Sequence, residues 1–152
     1  MVEFSKEINS TFPNERIKAL LNIKFTANYF DTIGNIQLKP FNISEQQYNI
    51  LRILRGAKEA ITVRTVKDRM VQKSPNATRL MDKLCDKDLI ERMRCENDRR
   101  VVYVKITKKG LDLLAKIKMD DLEHYLTNIS ENEAKVLNQL LDKFRTQETS
   151  KL

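Results

Sequence analysis

The sequence predicts a mainly helical protein with one small β-hairpin. Only 3 Gly and 3 Pro interrupt a chain of 152 residues that is rich in helix-favouring side chains. Two segments that contain β-branched and aromatic residues, 89–95 and 101–106, flank the polar turn 96–100. The hydrophobic content of 41% is enough for one core, so we expect a single globular domain over residues 1–152.

The N-terminal third of the chain predicts two helices. From about 13 to 33, apolar side chains recur at intervals of three and four residues, and Gly34 and Pro40 are stop signals. Ser44 and Gln47 have the spacing of a capping box, in which each side chain bonds the backbone N–H of the other residue. A second helix is therefore expected to begin after Ser44.

The central segment predicts a winged helix-turn-helix. A short strand at 60–62 precedes a helix that ends at Met70. A further helix opens with Ser74 as its N-cap and Pro75 at its first position, where the missing N–H is tolerated. The hairpin follows, so residues 44–106 contain the elements of a DNA-binding lobe in the expected order.

Two helical segments lie outside this lobe. Thr107 is placed to cap a long helix that extends to about residue 126, and Ser130 opens a final helix. The segments 13–38 and 107–146 carry apolar stripes with little remaining core to pack against. We therefore expect them to be dimerisation helices that pack against a second copy of the chain.

Positive charge is concentrated in the predicted lobe. Residues 58–109 contain 15 Lys and Arg against 8 Asp and Glu, a net charge of +7 that equals the formal charge of the whole chain. This distribution is typical of a face that binds phosphates. The alternative is that the helical charges form a solvated face and that the hairpin arginines only keep an exposed turn soluble.

The candidate DNA-binding residues lie on the helix opened by Ser74, on the helix before it and on the hairpin. Exposed side chains of the helix opened by Ser74 could reach base edges in the major groove, and the hairpin arginines could reach phosphates and the minor groove. The full set is Thr62, Arg64, Ser74, Asn76, Thr78, Arg79, Lys83, Arg92, Arg94, Asp98, Arg99 and Arg100.

Other function classes receive little support from the sequence. Cys85 and Cys95 are too few for a disulfide framework, and a single histidine cannot complete a zinc site, although an oxidant-sensing thiol stays open. No Gly-rich phosphate loop or nucleophile motif is present, so we expect no enzyme, metal or cofactor. No apolar run could span a bilayer and the N-terminus lacks a signal-peptide core, which predicts a cytoplasmic protein without a membrane partner.

Five segments resemble the MarR (multiple antibiotic resistance regulator) family of winged-helix transcription factors. They are SEQQYNIL at 44–51, ATRLMDKL at 77–84, LIER at 89–92, NDRR at 97–100 and ITKKG at 106–110. The resemblance extends in order and spacing from about residue 13 to 146. It implies a two-fold homodimer, built from the first helix and the last two, that binds pseudo-palindromic operators and usually represses transcription.

The resemblance also implies roles for particular residues. Thr78 and Arg79 match recognition-helix positions that meet bases and phosphates. Asp98 matches the residue that positions the wing loop, and Arg100 matches the residue that enters the minor groove. Asp88 stands where the family usually has Gly after the recognition helix, and Asp tolerates a left-handed backbone better than most residues.

An effector cavity is a further expectation. Phe25, Tyr29 and Tyr48 could line it between the dimer helices and the DNA lobes, although their helical spacing also fits core packing. We therefore hypothesise a homodimeric, ligand-responsive repressor whose partners are double-stranded DNA, a second copy and a small-molecule effector. The alternative hypothesis is a winged-helix protein-interaction module with only non-specific affinity for nucleic acid.

Overall fold

The structure of the chain is a computed structural model. It describes residues 2–95, 97–98, 100–118 and 120–146, and for residues 120–122 it describes the backbone only. Two compact units are present, Met1–Lys118 and Met119–Leu152. None of the helices within the described ranges combines the length and the apolar character that crossing a bilayer requires.

The larger unit consists mainly of helices around a small antiparallel sheet, which confirms the predicted fold class. In the sheet, the central strand β3 (Val102–Ile106) pairs with β1 (Ile61–Thr62) on one side and with β2 (Ile90–Arg94) on the other. The described elements are α1 (Phe4–Glu7), α2 (Glu15–Leu38), the 3-10 helix Lys39–Phe41, α3 (Glu45–Ala57), β1 (Ile61–Thr62), α4 (Val63–Arg69), α5 (Ala77–Asp86), β2 (Ile90–Arg94), β3 (Val102–Ile106) and α6 (Lys108–Lys116).

Helix α2 is longer than its stop signal predicted. The backbone remains helical through Gly34, and the helix ends at Leu38, shortly before Pro40. Gly34 is buried where α3 begins, and a Cβ at this position would lie 3.2 Å from Cδ of Glu45. Glycine therefore permits the close approach of α3 at this point and does not end the helix.

The capping box that opens α3 forms as predicted. The hydroxyl of Ser44 accepts from the N–H of Gln47, while the side chain of Gln47 accepts from the N–H of Ser44. The Gln47 amide is buried and also donates to the carbonyl of Leu80 at 3.5 Å. One side chain therefore caps α3 and ties it to α5.

The core of the larger unit lies between α3, α4, α5 and the sheet. Large side chains from each of these elements are fully buried, and burial of this kind is the main stabilising term of the fold. The fully buried residues include Ile50, Leu51, Leu54, Val66, Met81, Leu84 and Val104.

The start of α5 differs from the prediction. Ser74 is not its N-cap, because its hydroxyl accepts from the N–H of Asn76 and its carbonyl accepts from the N–H of Ala77. These bonds close a turn that precedes the helix, and Asn76 occupies the N-cap position without a side-chain bond. The helix therefore begins two residues later than Pro75 indicated.

The corner between α5, the hairpin and α6 depends on Asp88 and Thr107. Asp88 has a left-handed backbone with φ of 58°, as the family position predicted. Its carbonyl accepts from the Thr107 hydroxyl at 2.7 Å, and the same hydroxyl accepts from the N–H of Gly110 at the start of α6. Gly110 is required here, because a Cβ would lie 2.3 Å from the carbonyl oxygen of Leu89.

The long helix predicted from Thr107 to residue 126 is wrong, because α6 ends at Lys116. Ile117 has an extended backbone and a buried side chain. Leu122 and Leu126, which the prediction placed on the same helix, therefore lie outside α6.

The smaller unit contains α7 (Asp120–Leu126) and α8 (Glu131–Arg145). Ser130 and Glu133 form the predicted capping box of α8, and bonds from Ser130 hold the pKa of the Glu133 carboxyl below its ordinary value. Large apolar residues of α8 are exposed, with Leu140 at 57% and Phe144 at 49%. In the larger unit, α2 similarly exposes Ile17, Leu20 and Leu21.

We predict that Gly110→Ala destabilises the protein by about 3 kcal/mol, since the new methyl must displace backbone at Leu89 and the side chain of Ile106. Gly56→Ala in α3 is the matched control, because a Cβ there meets nothing within 4 Å. It should stabilise the helix by about 0.5–1 kcal/mol. Urea unfolding of both variants measures the difference, and an unchanged midpoint for Gly110→Ala would contradict this view of the corner.

A second prediction concerns Glu45 at the junction of α2 and α3. Burial raises the pKa of the Glu45 carboxyl above its ordinary value of 4.5, and the neighbouring Asp31 carboxylate raises it further. A raised folded-state pKa gives a stabilising contribution that is present below pH 4.5 and is lost as pH rises through the folded-state pKa. Glu45→Gln should therefore gain stability relative to wild type as pH increases from 4 to neutrality, because only wild type must ionise a partly buried carboxyl.

The same urea unfolding at several pH values tests this prediction. Glu59→Gln is the matched control, because Glu59 is exposed just after α3. A stability difference between Glu45→Gln and wild type that is constant across the pH range would contradict the prediction.

Candidate nucleic-acid interface

Helix α5 presents one apolar and one polar face. Ala77, Met81 and Leu84 are fully buried against the core. Thr78 and Arg79 are exposed, as expected from the spacing of the buried stripe. The predicted residues Asn76 and Lys83 are exposed as well, whereas Ser74 is half-buried in the turn that precedes the helix.

The hairpin is attached to α5 by Arg92. This side chain on β2 forms an ion pair with the carboxylate of Asp82 and donates to the carbonyl of Thr78 at 3.1 Å. Both partners lie on one flank of α5. Arg92 was predicted to contact DNA, and the structure places its guanidinium against α5, where it fixes the position of the hairpin.

Five of the predicted residues meet at an open cleft of about 580 Å³ between α4, α5 and the hairpin. They are Thr62, Arg64, Thr78, Arg92 and Arg100. The hydroxyl of Thr62 accepts from the N–H of Thr65 and so caps α4. Arg64 lies in the first turn of that helix and lines the cleft. The cleft is strongly basic in character, since it also includes Lys67.

Lys67 was missed as a candidate by the sequence analysis. Its place on α4 was noticeable because Lys occurs at the centre of an otherwise apolar repeat, with Val66 and Met70 buried beside it. The side chain is half-buried and lines the cleft. A long basic side chain in this position can pack its stem against apolar residues and still present its charge.

Asp98 holds the turn of the hairpin formed by β2 and β3, which we call the wing. The carboxylate of Asp98 accepts from the N–H of Arg100 at 2.9 Å, and its carbonyl accepts from the N–H of Val101 at 2.9 Å. Arg100 is exposed beyond this turn. Arg94 is exposed on β2 opposite Val102, and it shares a sheet face with Arg92. Arg99 lies outside the described residues.

Lys83 lies on the other flank of α5. It lines a separate depression of about 400 Å³ together with Lys39 and Lys87, where the connection from α2 to α3 approaches the end of α5. The sequence analysis missed both of these lysines. Lys87 follows Lys83 by four residues and could have been found from helical spacing, whereas nothing in the sequence places Lys39 beside them.

The predicted effector residues each have a different neighbour. Phe25 lies 5.4 Å from the ring of Phe4, which is itself stacked on Phe12. Tyr29 contacts Phe30 edge-on at 5.7 Å between ring centroids. The guanidinium of Arg52 lies over the ring of Tyr48 at 5.8 Å.

Neither cysteine forms a disulfide. Burial raises the pKa of the Cys85 thiol, and this effect exceeds the opposing influence of the Arg92 charge. A raised pKa reduces the thiolate fraction, which is the reactive form. Among the described residues, no group of three or more His, Cys, Asp or Glu side chains could hold a metal ion.

Comparison with known proteins identifies a consistent set of relatives. The MarR family profile matches residues 43–102. The chain is 31% identical over 147 residues to the multiple antibiotic resistance protein MarR of Salmonella typhimurium, which covers 94% of this chain and 98% of that protein. It is 30% identical over 110 residues to the transcriptional regulator MhqR of Bacillus subtilis, covering 70% and 75% of the two chains.

Solved structures agree with these relatives. A mutant of Escherichia coli MarR in complex with operator DNA has a TM-score of 0.67 and 28% identity, with 95% of this chain and all of that chain covered. A MarR transcription factor from Planctomyces limnophilus has a TM-score of 0.65 and 30% identity, with 88% and 98% covered.

We predict that Asp98→Ala loosens the wing turn. Removing the acceptor of the Arg100 N–H should cost about 1 kcal/mol locally and raise the exchange rate of that amide about fivefold. Asp98→Asn retains a side-chain oxygen in the same place and should stay close to wild type. Amide hydrogen exchange by NMR measures both variants, and equal rates in Asp98→Ala and wild type would show that the bond does not order the turn.

Proposed function

The chain belongs to the MarR family of transcription regulators, and we propose that it is a homodimeric, ligand-responsive repressor that binds a pseudo-palindromic operator. Members of this family are regulators rather than enzymes. The observation that carries the proposal is the exposed polar face of α5, which stands beside a cleft lined by Arg64, Lys67, Arg92 and Arg100. Such a face fits a major groove flanked by phosphates.

In the proposed complex, α5 enters the major groove. Arg79 is exposed on this helix and has the donor geometry that reads guanine O6 and N7. Asn76 and Thr78 lie in the same half of the helix, where recognition helices meet base edges. The wing, with Arg94 and Arg100 exposed, would grip the flanking backbone and the minor groove.

A homodimer is supported by apolar surface that each unit leaves exposed. The exposed apolar side chains of α2 include Ile17, Leu20 and Leu21, and those of α8 include Leu140 and Phe144. Contiguous apolar surface of this kind is characteristic of association. A two-fold dimer would place two α5 helices in successive major grooves, about one helical turn apart.

Ligand response requires an effector that binds one arrangement of the two lobes better than another, because only differential affinity shifts a population. Phe25, Tyr29 and Tyr48 are the proposed effector residues. A regulator of this kind acts on chromosomal DNA, so we place the chain in the cytoplasm.

The assignment of roles within the interface yields a test. Arg79→Ala should weaken operator binding by about 1–3 kcal/mol and relax sequence preference, because it removes a base contact. Arg94→Ala should weaken binding to the operator and to a scrambled duplex equally, and should lower the salt slope by about one per chain. Fluorescence anisotropy with both duplexes across a salt series measures these effects.

The two substitutions remove the same charge from exposed positions on α5 and on the hairpin, so each is the control for the other. Equal losses on both duplexes from both variants would contradict the proposed division between base reading and backbone contact. Weak binding by the wild type with no preference for any duplex would instead favour a protein-interaction module.

A further inference from the structure

We propose that Lys39, Lys83 and Lys87 form a second phosphate-binding site on the flank of α5 opposite the wing. This proposal rests on the proposed function, since the phosphates it assigns belong to operator DNA. The site is the depression of about 400 Å³ where the connection from α2 to α3 meets the end of α5. We call these three residues the lysine flank.

The two flanks of α5 are distinguished by the elements that pack against them. On the wing flank, Arg92 reaches the Thr78 carbonyl and the Asp82 carboxylate. On the lysine flank, the Gln47 amide reaches the Leu80 carbonyl. The depression that holds the lysine flank therefore lies between α5, the start of α3 and the connection from α2 to α3, and the residues that line it include none from the hairpin.

The charges of the lysine flank are not neutralised by the protein. The residues that line the depression include three lysines and no acidic side chain. Among the described residues, no carboxylate lies within ion-pair distance of the ammonium groups of Lys39, Lys83 or Lys87. Three converging cations without a counter-ion favour binding of an anion. In contrast, the cleft between α4, α5 and the hairpin is also lined by Asp68, and the Arg92 guanidinium in it is paired with Asp82.

The lysine flank is also ordered before any ligand arrives. The Lys87 ammonium donates to the carbonyl of Asn42, which has a left-handed backbone with φ of 54°. This bond leaves two N–H groups of the ammonium for a ligand. Gln47 fixes the start of α3 at the edge of the same depression, through its bonds to Ser44 and Leu80. An anion would therefore bind without ordering a loop, which favours affinity.

The dimensions of a duplex indicate which anion binds there. Helix α5 has ten residues, so it is about 15 Å long, and the major groove is about 12 Å wide. A helix of this size in the groove has a phosphate wall on each side. Because the wing supplies cations to one wall, the lysine flank is placed to supply them to the other. Free inorganic phosphate has the same chemistry and is the competing source.

The test is the salt dependence of DNA binding by the variant K39Q/K87Q. Lys83 is left intact because it belongs to both sites as proposed. Each lysine that contacts a phosphate contributes about 0.9 to the slope of log affinity against log salt, so a dimer should lose about 3–4 in slope. The loss should be equal on the operator and on a scrambled duplex, because backbone contacts carry no sequence information.

Two controls separate charge at this site from charge in general. K39R/K87R keeps both cations and should retain the wild-type slope. K6Q/R55Q removes the same charge from exposed positions on α1 and at the end of α3 and should also retain it. Circular dichroism melting of each variant checks that it is folded.

Four outcomes are distinguishable. A reduced slope confined to K39Q/K87Q supports the proposal, and a wild-type slope in that variant overturns it. If the slope is unchanged but inorganic phosphate shifts the Asn42 and Lys87 amides only in the wild type, the site serves a free anion and the DNA assignment is wrong. Absence of any sequence preference in the wild type would overturn the proposed function, and the slope of non-specific binding would still test the lysine flank.

Discussion

Burial of Ala77, Met81 and Leu84 determines which side chains of α5 reach solvent. Because these three residues point into the core, Thr78 and Arg79 must point away from it. The rotation of the helix about its own axis is therefore set by hydrophobic packing. The bond from Gln47 to the Leu80 carbonyl then fixes its position against α3. The proposed DNA-reading face is a consequence of how the opposite face packs.

The hairpin depends on the same helix through a second set of constraints. The left-handed turn at Asp88 sends the chain from α5 into β2, and Thr107 joins that turn to the start of α6. Arg92 then closes the loop by returning to Asp82 and Thr78. Basic side chains from α4 and the hairpin consequently border one cleft beside Thr78 of α5, although they are separated by up to 36 positions in the sequence between Arg64 and Arg100.

The sequence predicted the parts of this arrangement that depend on local chemistry. Capping boxes at Ser44 and Ser130 are local signals, and both form. The buried stripe of α5 follows from helical spacing alone. The end of α6 was not predicted, because the apolar repeat that includes Leu114 continues through Leu122 and Leu126, beyond Lys116 where the helix ends. Gly34 was misread as a stop signal, because the close approach of Glu45 that glycine permits is created by the tertiary fold.

The candidate site was predicted with similar limits. Residues on α5 and the hairpin could be found because motifs and charge mark them. Lys39 could not, because its proximity to Lys83 and Lys87 is created by the tertiary fold. The roles of the individual site residues, and of Phe25, Tyr29 and Tyr48 in effector binding, stay predictions.

The most direct test of the account is selection of bound duplexes from a random DNA pool by the wild-type protein, with the mass of the winning complex measured by light scattering. The account predicts an inverted repeat with half-sites about one helical turn apart, bound by two chains. Folded protein that enriches no sequence, or that binds an enriched site as a single chain, would contradict it.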